Sequence, residues 1–275
     1  MSGLFWGVLI VGAAAGWFSW RYAWWRRPVP YDRPRILMYH MIREPIPGRK
    51  FNSLRVAPAM FERQIRHLAE EGWRSLTMSE AFARRESLPE KTVVITFDDG
   101  YRDNLTHALP ILERYGFRAT LYLVTDRHDR DWSGERKAKN LGAGLAEEPK
   151  LSDDEVKRLL ESGVFEIGGH TRTHANLSRL DDAGKRAEIC GGREEIEERF
   201  ATACRSFAYP FGIYDDRDER IAAECGYTHA VTTETGIADL RRCDPYALPR
   251  ITVSGRDGFW AFRLKLRHGR RGVAK

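Results

Sequence analysis

Short apolar runs alternate along the chain with longer stretches in which apolar positions recur every three or four residues. "RILMYHMI" (35–42), "TVVITF" (92–97), "RATLYLV" (118–124), "FEIGGH" (165–170) and the start of "SFAYPFG" (206–212) predict buried strands. Between them, helices are predicted over Pro58 to Gly72, with Met60, Ile65, Leu68 and Ala69 on one stripe, and over Asn104 to Tyr115, stopping at Gly116. "SDDEVKRLLESG" opens with a serine cap and acids in the first turn and ends at a glycine, and Asp181 to Phe200 forms a further helix. Strands taking turns with helices imply parallel βαβ units, hence a doubly wound sheet or a barrel. In both architectures chemistry gathers at the C-terminal ends of the strands.

One apolar run stands apart from this alternation. "GLFWGVLIVGAAAGWFSW" (3–20) is 18 residues without a charge, about the minimum for crossing a hydrocarbon core, and Trp6, Trp17, Trp20, Trp24 and Trp25 suit membrane interfaces. It predicts a single N-terminal transmembrane anchor over residues 1–25. A cleaved signal peptide would carry a basic segment ahead of its apolar core, and Met1 and Ser2 offer none. Gly12 and Gly16 form a GxxxG pair, a weak signal for a homodimer through the anchor helix. Arg21, Arg26, Arg27, Arg33 and Arg35 follow the run, so the positive-inside rule leans the remaining chain to the cytoplasmic face, the exported side staying open. "RRPVPYDRP" (26–34), with three prolines, predicts an extended linker.

Composition bounds the rest. A chain of 275 residues with 42% hydrophobic and 11% aromatic content is long enough for one sizeable domain and excludes a disordered protein. The net charge of +6 is an ordinary surface balance except at the two ends, where the tail from Arg263 to Lys275 holds six cations and no acid. No nucleic-acid motif accompanies these cations, so anionic membrane lipid is the partner they suit. Four cysteines, Cys190, Cys204, Cys225 and Cys243, contain no CxxC pair, which removes zinc-ribbon and thioredoxin readings. Reduced small residues and two disulfides both fit them; free thiols agree better with a cytoplasmic face.

Two clusters carry candidate chemistry. "VVITFDDGYRDN" (93–104) drives Asp98 and Asp99 out of the end of a buried strand, where an unpaired carboxylate costs several kcal/mol. The pair is either a metal or acid–base site or a helix cap. "IGGHTRTHANL" places His170 and His174 four apart after another strand end. In a helix or tight turn both imidazoles face one side and can share a metal, although a polar helix start accounts for them too. Two histidines and one carboxylate make a facial ligand set for a divalent ion, and the second carboxylate is then free to act as a base.

"TFDDG" (96–100), "HTRTH" (170–174) and "FAYPFG" (207–212) together resemble the successive motifs of the NodB-homology polysaccharide deacetylases. "LMYHMI", "MFERQIRHLAEEGW", "ILERYGFRATLYLV" and "LPRITV" resemble the branch of that family with an N-terminal Tyr-His segment, over residues 35–262, leaving 263–275 as a basic tail. The resemblance implies a distorted (β/α) barrel with fewer than eight strands and a metal-dependent hydrolase that removes N-acetyl groups from the amino sugars of a polysaccharide or lipid-linked glycan. One divalent metal is implied, zinc first, with cobalt, nickel or manganese as alternatives. Deformylation, O-deacetylation of a lipid-linked sugar, or a silent glycan-binding module are the other readings. Carried over by position, Asp99, His170 and His174 are the metal ligands and Asp98 is the general base. His40 is either the acid that protonates the leaving amine or a core histidine satisfied by backbone. The family's third motif often carries an arginine where this chain has Ala208, and Arg250 in "LPRI" is the candidate to replace it. Tyr209, Pro210, Phe211 and Trp132 are candidate substrate-groove residues, Trp132 as a sugar-stacking platform or as plain packing, in a charged loop (126–149) expected over the site. Leu266-Arg267-His268 spells the LxH of other family members, but by coincidence, His40 being the better candidate.

Overall fold

The computed structural model describes residues 2–134, 142 and 144–272. Residues 135–141 and 143 of the loop expected over the site, and 273–275 of the tail, lie outside them.

The strands are β1 (Arg35–Tyr39), β2 (Met41–Ile42), β3 (Arg55–Val56), β4 (Arg74–Leu76), β5 (Thr92–Asp98), β6 (Ala119–Leu123), β7 (Phe165–Gly169), β8 (Ser206–Ala208), β9 (His229–Thr235) and β10 (Leu248–Thr252). The α-helices are α1 (Ser2–Tyr22), α2 (Pro58–Glu70), α3 (Met78–Ala83), α4 (Leu109–Tyr115), α5 (Asp153–Glu161), α6 (Asp182–Phe200), α7 (Asp216–Glu224) and α8 (Phe259–His268). The main sheet runs β1-β10-β9-β8-β7-β6-β5, and β5 pairs back onto β1, so among the described residues seven parallel strands close a ring. Short β4 adds to the start of β5, and β2 and β3 form a small parallel pair beyond the ring. This is the distorted barrel with fewer than eight strands that the motifs imply.

Local sequence explains the elements. All seven residues of β5 are buried, as a strand covered on both sides by a barrel interior and a helix layer requires. Ser152 and Glu155 make a reciprocal capping box at α5, Thr77 with Glu80 makes another at α3, and Asp215 with Asp218 a third at α7; each cap contributes about 1 kcal/mol. Gly116 closes α4 in the left-handed conformation. Asn104–Ala108, expected as the first turns of that helix, is a π-helical segment leading into α4. Gly168 is required by packing, since a Cβ there would lie 2.7 Å from the Tyr122 ring and 2.8 Å from the Ser206 carbonyl.

The N-terminal run does form a helix, with Phe5, Trp6, Leu9, Ile10, Val11 and Trp17 exposed. Among the described residues, however, no helix is long and apolar enough to cross a membrane. The segment expected as an anchor is therefore helical over Ser2–Tyr22, with no membrane span established for it. The proline-rich segment behind it is tied down. Val29 N–H donates to the Arg267 carbonyl at 2.9 Å, and buried Arg35 donates to the carbonyls of Leu266, Val29, Pro30 and Arg33. Helix α8, with Leu264 and Leu266 buried, runs through residue 263, where the tail is expected to start. Cys190 and Cys225 are disulfide-bonded with Cα atoms 5.1 Å apart, joining α6 to the end of α7, while Cys204 and Cys243 are free thiols.

Candidate active site

Asp98 is the last residue of β5, and Asp99 follows it with φ 80°. That left-handed backbone turns the second carboxylate away from the strand direction, so the two neighbours face different partners. Asp98 Oδ1 and Oδ2 accept from the Arg250 guanidinium at 2.7 and 2.8 Å, a bidentate pair with both side chains buried. Arg250 is itself fixed, donating to Thr96 Oγ1 at 3.0 Å and to the Thr232 carbonyl at 2.9 Å. Burial pushes the Asp98 carboxyl up, but the Arg250 cation and its hydrogen bonds outweigh burial and hold it below the usual carboxylate range.

Asp99 faces the histidines. Its Oδ1 lies 3.4 Å from His170 Nε2 and 3.2 Å from His174 Nε2. The segment carrying them is a turn with φ of 64° at Thr171 and 60° at His174, and this turn, not a helix, brings the imidazoles to one side. Non-glycine residues held at positive φ are backbone strain of the kind that clusters at functional sites. His170 Nδ1 lies 2.7 Å from the Ala208 carbonyl, which makes that nitrogen an N–H donor and turns Nε2 toward Asp99. Burial lowers the pKa of both imidazoles; at His170 the neighbouring carboxylates outweigh it and raise the value, whereas at His174 burial wins. Burial pushes Asp99 up, and its hydrogen bonds with the two histidines bring it well below the normal range.

The donor set tests whether a metal fits. One carboxylate oxygen and two imidazole nitrogens lie within 4.8 Å of one another, all buried, and one ring nitrogen is held in the ligating tautomer by a carbonyl. Asp99, His170 and His174 could therefore hold a metal ion.

The triad and Asp98 open onto a cavity of about 550 Å³. His40, Trp132, Tyr209 and Phe211 line it with them. His40 follows β1, and its carbonyl accepts from Asn104 Nδ2 at 2.9 Å. Pro210 and Arg250 are not among the lining residues: Pro210 is buried in the turn before Phe211, and Arg250 lies behind Asp98, bound to its carboxylate. Trp132 is only 3% exposed, with its ring 4.8 Å from that of His174 and the Lys150 ammonium 4.7 Å from its centre. Tyr209 stacks on Tyr214 at 4.6 Å, and Phe211 meets His174 edge-to-face at 4.4 Å. His268 sits at the end of α8 and does not line the cavity.

Sequence reasoning missed further lining residues, among them Met38, Ser53, Leu54, Thr233 and Thr252, and the supports Thr96, Thr232 and Lys150. Thr96 opens the "TFDDG" run and was within reach of it; nothing in the sequence marks Lys150.

A family model described as polysaccharide deacetylase matches residues 85–230. The chain belongs to the polysaccharide deacetylase family. YxkH of Bacillus subtilis (strain 168), whose name places it in the same family, is 32% identical over 235 residues, covering 84% of this chain and 75% of that protein. The poly-beta-1,6-N-acetyl-D-glucosamine N-deacetylase of Staphylococcus aureus (strain MRSA252) is 24% identical over 217 residues, 75% of this chain and 70% of that one. Among solved structures, BC0361, a polysaccharide deacetylase from Bacillus cereus, superposes with a TM-score of 0.71 at 26% identity over 86% of this chain and 69% of that one. The Streptococcus pyogenes deacetylase PplD, solved with acetate, gives 0.69 at 26% identity over 83% and 94%. The chain is thus a polysaccharide deacetylase, a hydrolase of the carbon–nitrogen bonds of N-acetyl groups. Within this deacetylase the guanidinium that Ala208 cannot supply comes from Arg250, on a different strand.

Proposed function

We propose that this deacetylase is metal-dependent and removes acetyl groups from N-acetylated amino sugars of a glycan, with zinc as its metal. The observation that carries the reading is the division of labour between adjacent carboxylates: Asp99 faces two histidines while Asp98 is kept ionised by a bidentate arginine on the same cavity. Asp99, His170 and His174 would hold the ion, which supplies Lewis acidity to the amide carbonyl and to water when bound. Asp98 accepts the proton of the water that attacks the amide carbon. The orientation of that carboxylate is set by Arg250, whose two bonds leave each oxygen a further lone pair facing the cavity. The C–N bond then breaks, and His40, on the same cavity, gives the departing amine its proton, yielding acetate and a free amino sugar. A polymeric β-1,6-linked N-acetylglucosamine is the first substrate to try, because the Staphylococcus aureus relative is named for it.

The test is acetate release from short N-acetylglucosamine oligomers by the full-length chain, first stripped of metal and then given Zn²⁺ or Co²⁺. Release restored by metal and lost again in Asp98→Asn supports the reading. Release at the same rate after complete stripping would overturn the metal dependence, and an Asp98→Asn variant as fast as wild type would overturn the base.

A further inference from the structure

The two histidines of the triad are supported in different ways. His170 has a carbonyl on its second ring nitrogen, whereas His174 Nδ1 is buried with no hydrogen-bond partner among the described residues. A ligating histidine normally donates that second N–H to an acceptor that fixes its ring. What surrounds the His174 ring is aromatic. Trp132 lies tilted over it, at 4.8 Å and 31°, and Phe211 and His170 meet it edge-on at 82° and 73°.

Trp132 is in turn held from outside. Lys150 Nζ stands 4.7 Å from the Trp132 ring centre and 4.4 Å from that of Tyr101. The ammonium is fixed over the rings by donating to the carbonyls of Leu145 and Glu148, both at 3.1 Å. At 3% exposure, Trp132 has little free face to offer a sugar.

We infer that Trp132, clamped by Lys150, is a positioning residue for His174, fixing by ring packing the orientation that a hydrogen bond fixes at His170. The inference rests on the metal reading above and concerns how tightly and in what geometry the ion is held, not whether the reaction occurs.

The experiment measures Zn²⁺ affinity of the full-length chain by competition with a chromophoric chelator, and the visible absorption of the Co²⁺ form, for wild type, Trp132→Ala, Trp132→Phe and Lys150→Met. Loss of an outer support of a metal ligand weakens affinity by roughly 10–100-fold. Trp132→Ala should show that loss with a shifted cobalt spectrum, Trp132→Phe should recover most of it, and Lys150→Met should fall between. Circular dichroism checks folding, and Trp132→Leu, which keeps an apolar filling without a ring face, replaces the alanine variant should the latter not fold. Zinc affinity within twofold of wild type and an unchanged cobalt spectrum in the ringless variant would overturn the inference. A raised KM with unaltered metal binding would make Trp132 a sugar platform instead. A wild-type chain that binds neither ion removes the metal reading itself and the inference with it.

Discussion

Replacing Arg250 by methionine keeps much of the volume and removes the charge, which makes it the sharpest probe of the site. In the wild type the guanidinium gives Asp98 two hydrogen bonds, and both side chains are almost fully buried, 0% and 3% exposed. Breaking a buried pair from one side leaves an uncompensated charge and costs about 3–5 kcal/mol, a large part of the 5–15 kcal/mol that holds a typical domain together. The carboxylate has one escape, which is to take up a proton. In the wild type the folded Asp98 lies below its unfolded value of about 3.9, so its contribution is present above that pH and is lost as pH falls through the folded value. Without Arg250 the sign reverses. Burial alone raises the carboxyl, the folded variant binds an extra proton, and its stability declines as pH rises through that raised value.

Two measurements follow. Urea unfolding at pH 5 and pH 8 should show Arg250→Met closer to wild type at pH 5 and further below it at pH 8. Acetate release should lose its acid-side activity, with the acid limb of the pH–rate profile moved upward and the rate at pH 7 down by roughly 10²–10⁴-fold, the usual loss of a general base. Adding Asp98→Asn to Arg250→Met removes the stranded charge, so the double variant should recover most of the lost stability. A stability gap that does not change with pH, together with a coupling below about 0.5 kcal/mol in that cycle, would refute the reasoning.

Asp98→Asn alone should reduce acetate release by roughly 10²–10⁴-fold while the chain still binds one zinc, because the metal-competent group comprises Asp99, His170 and His174; loss of zinc, read by atomic absorption, would put Asp98 among the ligands. His40→Ala should lower kcat more than it raises KM, and an unaltered kcat would take the acid role from it. Asp103 is buried, accepts from Ile42 N–H at 2.8 Å, and has its carboxyl pushed up by burial to about 7. The folded chain therefore holds a proton there that the unfolded chain gives up, and wild-type stability falls between about pH 4 and 7. Asp103→Asn should flatten that slope in urea midpoints, and an equally steep slope would show that another group titrates. Reducing the Cys190–Cys225 bridge, which spans 35 residues, should lower unfolding stability by up to about 4 kcal/mol, read as the shift of the urea midpoint with dithiothreitol.

The elements whose signals are local are the ones the sequence makes legible. Strand β5 is a continuous apolar run because it is covered on both faces, and the acids at its end stand out against it. The cap at Ser152 and the left-handed stop at Gly116 are contained within a few residues, and each appears where its pattern puts it. The N-terminal run shows the limit of the same method. It gives the helix, while among the described residues no helix is long and apolar enough to cross a membrane.

What stays hidden depends on partners far along the chain. Strand β10, "LPRIT", carries a proline and an arginine and reads poorly as a central strand by any local rule. Its arginine is singled out only by the family resemblance, and its partner, Asp98, stands 152 residues earlier. Strand β9 hides in the same way, since "HAVTTET" is half polar, and Thr232 spends its carbonyl on that same guanidinium. On β10 the polar residue that spoils the strand pattern is thus the one that sets the Asp98 carboxylate. A site built this way violates local consistency where function requires it, and the violations point toward the site once the fold has closed the distance.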